Sequence, residues 1–166
     1  MTRVLVINSG SSSLKLQILD TAEEAELAWA LVERIGEPVG TMTVRRGELT
    51  GSPAAERTAE AGFPDHTAAL ARVLELAEEL RVHPTDLGVE AIGHRVVHGG
   101  PAFHEPVEVT AEVEADIEKL ELLAPLHNPA NLRGIRVARE LLPGLPHVAV
   151  FDTGFFHTLP AAAHTY

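Results

Sequence analysis

Val4-Leu5-Val6-Ile7-Asn8-Ser9-Gly10-Ser11-Ser12-Ser13-Leu14-Lys15-Leu16-Gln17-Ile18-Leu19-Asp20 is the stretch that decides the fold. Val4 to Ile7 form a continuous β-branched and aliphatic run of the kind that sits in a strand buried on both faces. The polar run from Asn8 to Ser13 breaks it, after which Leu14, Leu16 and Ile18 alternate with Lys15 and Gln17 at the strand period of two. A strand, a Gly/Ser loop and a second strand make a hairpin. Residues 27–35, with Met42-Thr43-Val44-Arg45 and the Arg46-Gly47 turn, continue it as a meander. Residues 51–64, which carry Gly51, Pro53, Gly62 and Pro64, read as a surface connection.

Beyond residue 64 the period changes to that of a helix. Asp65 is placed to cap a helix whose Leu70, Val73, Leu74, Ala77 and Leu80 share a face. Ala91-Ile92 leads into Gly93-His94-Arg95-Val96-Val97-His98-Gly99-Gly100, a strand closed by a double glycine. Thr110 caps a second helix with Val113, Ile117, Leu120 and Ala124 inward and acidic residues in its first turn, where the helix dipole favours them. Asn128-Pro129 offers a capping side chain before proline at the first helical position, opening a helix with Leu132, Ile135, Ala138 and Leu142 inward and Pro143-Gly144 at its end. His147 to Phe151 is another buried strand, with Asp152-Thr153-Gly154 at its carboxyl end. Strands first and then strands alternating with helices predict an α/β domain with a mixed sheet, and ligands of such sheets bind beyond the carboxyl ends of the strands. Asn8, the loop after Val97 and Asp152 all occupy such ends.

Composition narrows the function. The 166 residues carry 13 Lys+Arg against 24 Asp+Glu, a net charge of −11, with 45% hydrophobic residues and no cysteine, as expected of one globular domain large enough to hold a core. Thiol chemistry and iron–sulfur clusters are excluded. A polyanion without a Lys/Arg cluster is repelled by nucleic acid and anionic lipid, so neither is expected as a partner. The N-terminal apolar run is only four residues long, too short for a signal peptide or a membrane span, and predicts cytoplasmic residence.

Four segments can carry chemistry. Asn8 to Lys15 combines a glycine, hydroxyls and a lysine, which suits an anion-cradling loop, although it lacks the Walker A ending and reads equally as a Gly/Ser hairpin turn. His94 and His98 on a strand stand about 13 Å apart, too far to share a zinc ion. Arg95 in an apolar strand calls for an anion, either a bound carboxylate or phosphate or the carboxylate of a structural salt bridge. His127 precedes a helix N-terminus, where it can meet an anion or simply pack. Asp152 ends a buried strand and serves either as a turn cap through Thr153 and Gly154 or as a site carboxylate.

Together, Val4 to Lys15, Gly93 to Gly100, Ala124-Pro125-Leu126-His127-Asn128-Pro129 and Val150-Phe151-Asp152-Thr153 resemble the acetate kinase family, within the acetate and sugar kinase, actin and heat-shock ATPase superfamily. The resemblance spans nearly the whole chain and is thinnest across residues 20–65. It implies a ribonuclease H-like, actin-like ATPase domain with a mixed five-stranded sheet flanked by helices. It also implies reversible, Mg²⁺-dependent phosphoryl transfer between ATP and acetate, giving ADP and acetyl phosphate. On it, Asn8 would hold the metal, and Lys15 with Ser11 and Ser12 would contact the nucleotide phosphates. Arg95 and His127 would bind the carboxylate or the transferring group, Val97 and Leu126 would receive the methyl group, and Asp152 would be the catalytic acid/base. Propionate or butyrate kinase activity and a non-catalytic phosphate- or nucleotide-binding module are the alternatives.

Two departures accompany the resemblance. Where the family commonly has Ala-Phe-His after Asp-Thr, this chain has Gly154-Phe155-Phe156, with His157 one place later. Family members also continue for more than the same length again, through a half that supplies the adenosine pocket, a further metal carboxylate and the usual homodimer contact. The 166 residues are therefore expected to form one N-terminal domain without the family's C-terminal domain, and to be inactive alone.

Overall fold

The computed structural model describes residues 2–48, 53–156 and 158–160; Gly51 of the expected surface connection and His157 lie outside them. The hairpin forms from β1 (Arg3–Ser9) and β2 (Ser13–Asp20), antiparallel with Asn8 opposite Lys15. The meander follows as β3 (Ala25–Glu33) and β4 (Gly40–Arg46). After α1 (His66–Glu79), β6 (Ala91–Val96) returns parallel to β1, and β8 (His147–Phe151) lies parallel to β6 after α2 (Ala111–Lys119) and α3 (Asn128–Leu141).

The sheet is mixed, as expected, but with β5 (Ala55–Ala61) and the two-residue β7 (Val107–Glu108) it has eight strands among the described residues rather than five, in the order β5-β4-β3-β2-β1-β6-β8-β7. β4, expected as part of the meander, and β5 extend the run β3-β2-β1-β6-β8 at one edge, and β7 extends it at the other. β5 falls where the sequence suggested a surface connection. It is an edge strand that holds through its ladder with β4 and buries little, so its side chains, Ala-Glu-Arg-Thr-Ala-Glu-Ala, carry no apolar alternation to read.

The burial of β1 corrects a second expectation. Leu5 and Ile7 are buried while Val4, Val6 and Asn8 are half-exposed, so β1 is covered on one face only; β8 repeats this, with Ala149 and Phe151 buried and Val150 exposed. α1 packs on β2 and β4, and α3 on β1 and β6, over the face carrying Leu5, Ile7, Leu16 and Ile92. Each fully buried Leu or Ile there contributes roughly 1.5–3 kcal/mol. The caps at Asp65 and Thr110 form as expected, their side chains accepting from the Ala68 and Val113 amides at 2.8 and 3.2 Å. α3 differs: His127 is its cap residue and Asn128 already lies inside the helix, its buried amide turned to the β6 loop instead of capping.

Candidate functional site

Strand register sets a row of polar side chains across the uncovered face of the sheet. Asn8 of β1 lies opposite Lys15 of β2, which lies opposite Leu31 of β3. One step beyond the Ile7–His94 pairing, Asn8 comes level with Arg95 of β6, itself opposite Val150 of β8. Residues in one row across a sheet point to the same face, so Lys15, Asn8 and Arg95 converge because of register alone. Above them opens a cleft of about 730 Å³, whose lining also includes Gly10 and Ser11 of the β1–β2 loop, Val97, Leu126 and His127.

The loops at the strand ends are fixed by side chains from α3 and from the turn after β8. Asn131 bridges the first two ends: its Nδ2 donates to the Ser9 carbonyl at 2.8 Å and its Oδ1 accepts from the Val97 amide at 3.1 Å. Asn128 does the same for His98, accepting from its amide at 3.1 Å and donating to its carbonyl at 2.9 Å. Thr153 Oγ1 accepts from the Gly99 amide at 2.9 Å. Gly100 takes a left-handed φ of 58°, where a Cβ would also meet the Leu120 side chain at 2.5 Å, which accounts for the second glycine of the pair. Gly134 lets α3 lie against β1: a Cβ there would come within 2.4 Å of the Ser9 Cβ. The Ser9 hydroxyl beside it is buried without a hydrogen-bond partner among the described residues.

Arg95 and Asp152 meet directly. Arg95 Nε donates to both carboxylate oxygens at 3.0 and 3.1 Å, and Nη2 donates to Oδ2 at 2.8 Å. Neither residue is buried, their side chains being 51% and 38% exposed, because β6 has no helix over this face. That lessens the desolvation cost expected of an arginine in an apolar strand. The hydrogen bonds to Asp152 raise the Arg95 pKa above its ordinary value, outweighing the partial burial that lowers it. A guanidinium has five N–H groups; the side-on contact with Asp152 engages Nε and Nη2, leaving Nη1 and the outer Nη2 proton as an end-on fork that matches a carboxylate or phosphate.

His127 is the N-cap residue of α3, exposed, makes no side-chain capping bond, and lines the cleft. Leu126, 79% exposed, and Val97, half-buried, are apolar residues of the cleft lining. Ser11 lines the cleft, whereas Ser12, exposed at the loop tip, and Asp152 do not; Asp152 reaches it through Arg95. His94 and His98 go separate ways, His94 into a buried hydrogen bond with His147 at 2.9 Å and His98 Nδ1 to the Gly100 amide. Sequence reading missed Asn131 and Gly134 and took Asn128 for a cap; the visible signs were a polar Asn131 on the buried side of a helix and a glycine inside it.

Among the described residues no group of three or more His, Asp or Glu could hold a metal ion. The Asn8 amide oxygen and the Ser11 hydroxyl are neutral oxygen donors of the kind that Mg²⁺ takes along with phosphate oxygens and water. They fit as a partial set to which a phosphate ligand must add.

The chain matches the acetokinase family over residues 3–166. It is 51% identical to an acetate kinase of Corynebacterium aurimucosum over 169 residues, covering 100% of this chain and 40% of that protein. Among solved structures, Porphyromonas gingivalis acetate kinase superposes with a TM-score of 0.83 at 38% identity, covering 98% of this chain and 40% of the other. A propionate kinase of Francisella tularensis gives a TM-score of 0.78 at 34% identity, again covering 98% and 40%. The chain thus spans about 40% of the length of the relatives it matches, and its mixed sheet has their actin-like ATPase fold.

Proposed function

The chain belongs to the acetokinase family, and from that membership and the cleft geometry we propose that it forms one wall of an acetate kinase site, transferring a phosphoryl group reversibly between ATP and acetate. The observation that carries this reading is the convergence of Lys15, Asn8, Arg95 and His127 on one cleft in a chain of net charge −11. Cations focused in an acidic surround attract an anion to that point.

A metaphosphate-like group needs donors at its equatorial oxygens and an in-line donor and acceptor. Lys15 and the Ser11–Ser12 loop hold the nucleotide phosphates, and Asn8 contributes to the Mg²⁺, which when bound neutralises phosphate charge. Arg95 presents its free end-on fork to the acetate carboxylate or the transferring group, oriented by the side-on grip of Asp152. His127 donates from the helix N-terminus. Val97 and Leu126 receive the methyl group, and Asp152, set behind Arg95 outside the cleft lining, takes the acid/base role that the family resemblance implies. Exposed Leu126, Leu122 and Phe155 lie at 79%, 89% and 83% accessibility, apolar surface suited to cover by a second domain that closes the cleft and excludes water. The complete enzyme then works in the cytoplasm as a homodimer without nucleic-acid or membrane partners, while the isolated domain is inactive.

The test is acetyl phosphate formation by the complete enzyme against acetate, propionate and butyrate. Acetate should be preferred, by a factor reflecting about 1–3 kcal/mol per methylene; equal rates on all three would remove the small pocket. The Francisella relative favours propionate as the second reading. Calorimetry of the 166-residue chain with ATP·Mg and acetyl phosphate separates the non-catalytic module, since micromolar binding by the isolated chain would support that module.

A further inference from the structure

The loop assigned above to nucleotide phosphates is gripped from behind by a residue that does not line the cleft. His66, the first residue of α1, is buried, and its Nε2 lies 2.7 Å from the carbonyl oxygen of Gly10. A carbonyl only accepts, so Nε2 carries the proton and donates. The ring is held in place by its helix, whose first turn is fixed by Asp65 accepting from the Ala68 amide at 2.8 Å.

Resting on the phosphate-loop reading, we propose that His66 is a positioning residue that turns the Ser11 amide toward the bound phosphate. A trans peptide is planar, with its C=O and the following N–H pointing in opposite directions, and there are no cis peptide bonds among the described residues. Gly10 C=O points inward to a buried imidazole, so the Ser11 N–H of the same peptide plane points outward, where Ser11 is exposed and lines the cleft. That amide donates to no acceptor among the described residues. With the grip removed, Gly10 is free to rotate, and a flipped peptide would turn a carbonyl oxygen toward the phosphate and replace attraction with repulsion. The other side of the loop is held independently, by the Ile35 amide donating to the Ser12 carbonyl and the Gly10 amide donating to Ser13, both at 2.9 Å. The peptide between Gly10 and Ser11 is thus the one whose direction depends on His66.

Three measurements test this. In the 166-residue chain, ¹⁵N shifts of the His66 ring should report the Nε2–H form; an unprotonated Nε2 would overturn the proposal without any substitution. In the same chain, His66→Leu should shift the ¹³C resonance of the Gly10 carbonyl upfield, because it removes the hydrogen bond that carbonyl accepts, and His66→Gln, which keeps an N–H donor, should restore it. An unmoved Gly10 carbonyl resonance in His66→Leu overturns the grip. In the complete enzyme, His66→Leu should raise KM for ATP about tenfold with kcat within about threefold, and His66→Gln should recover it. A normal KM in His66→Leu beside a raised KM in Lys15→Ala overturns the positioning role alone. Normal values in both overturn the phosphate-loop reading on which it rests.

Discussion

The two faces of one sheet are built on opposite terms. Under α1 and α3, Leu5, Ile7 and Ile92 are at most 1% exposed, and the sheet is sealed by aliphatic packing. On the other face, β1, β2 and β6 present Asn8, Lys15 and Arg95, each one residue along from a buried side chain of its own strand, Ile7, Leu14 and Val96. Alternation at a period of two lets a single strand hold the fold with one set of residues and line the cleft with the next. The covered face should therefore control stability, and the open face activity, with little crossover.

The largest stability effect should come from the covered face. Ile92→Ala should cost about 2–5 kcal/mol in urea unfolding, since it empties a fully buried site. A loss below about 1 kcal/mol would show that the helices do not seal that face. Asn131→Ala comes next, at about 1–3 kcal/mol, because it strands the Ser9 carbonyl and the Val97 amide. It is the one expected crossover, slackening the cleft as well.

Acid should act through the covered face too. The Leu142 carbonyl accepts from His147 Nε2 at 3.1 Å, so His147 Nδ1 accepts from His94, and both rings are neutral. Burial lowers both pKa values, that of His94 to about 3, with Arg139 adding to the effect in each. A histidine whose pKa is depressed on folding contributes fully above the unfolded value, and this contribution falls as pH drops below about 6.5. Stability should therefore decline from there toward about pH 3, and His94→Leu should flatten the slope of unfolding free energy against pH; an unaltered slope would remove the pair as its cause. The smallest effect belongs to the open face: Arg95→Ala breaks an exposed ion pair and should change stability by less than about 1 kcal/mol.

The legible parts of the molecule were those with strong local patterns. The β1–β2 hairpin, the Asp65 and Thr110 caps and the apolar faces of α1 and α3 were readable because each is written in consecutive residues, whereas α2 stops at Lys119, short of the Leu120 and Ala124 expected on its face. β5 was not, since an alanine- and glutamate-rich edge strand exists only through its ladder with β4. Expected burial on both faces of β1 and β8 failed for a tertiary reason: α1 and α3 cover one face of the sheet, and no run of Val and Ile announces that. Arg95 and Asp152 were singled out separately, but their bidentate contact joins β6 to the turn after β8, 57 positions apart, and only the parallel register brings them together. Asn128 was misread as a cap because the same residue type serves equally to clamp a loop from inside a helix.

The division between the faces is tested most directly by one variant measured two ways: Arg95→Ala in the complete enzyme, assayed for acetyl phosphate formation and for thermal unfolding. The account predicts a rate loss of about a hundredfold or more with the unfolding midpoint nearly unchanged. A wild-type rate, or a rate loss matched by a large fall in stability, would contradict it.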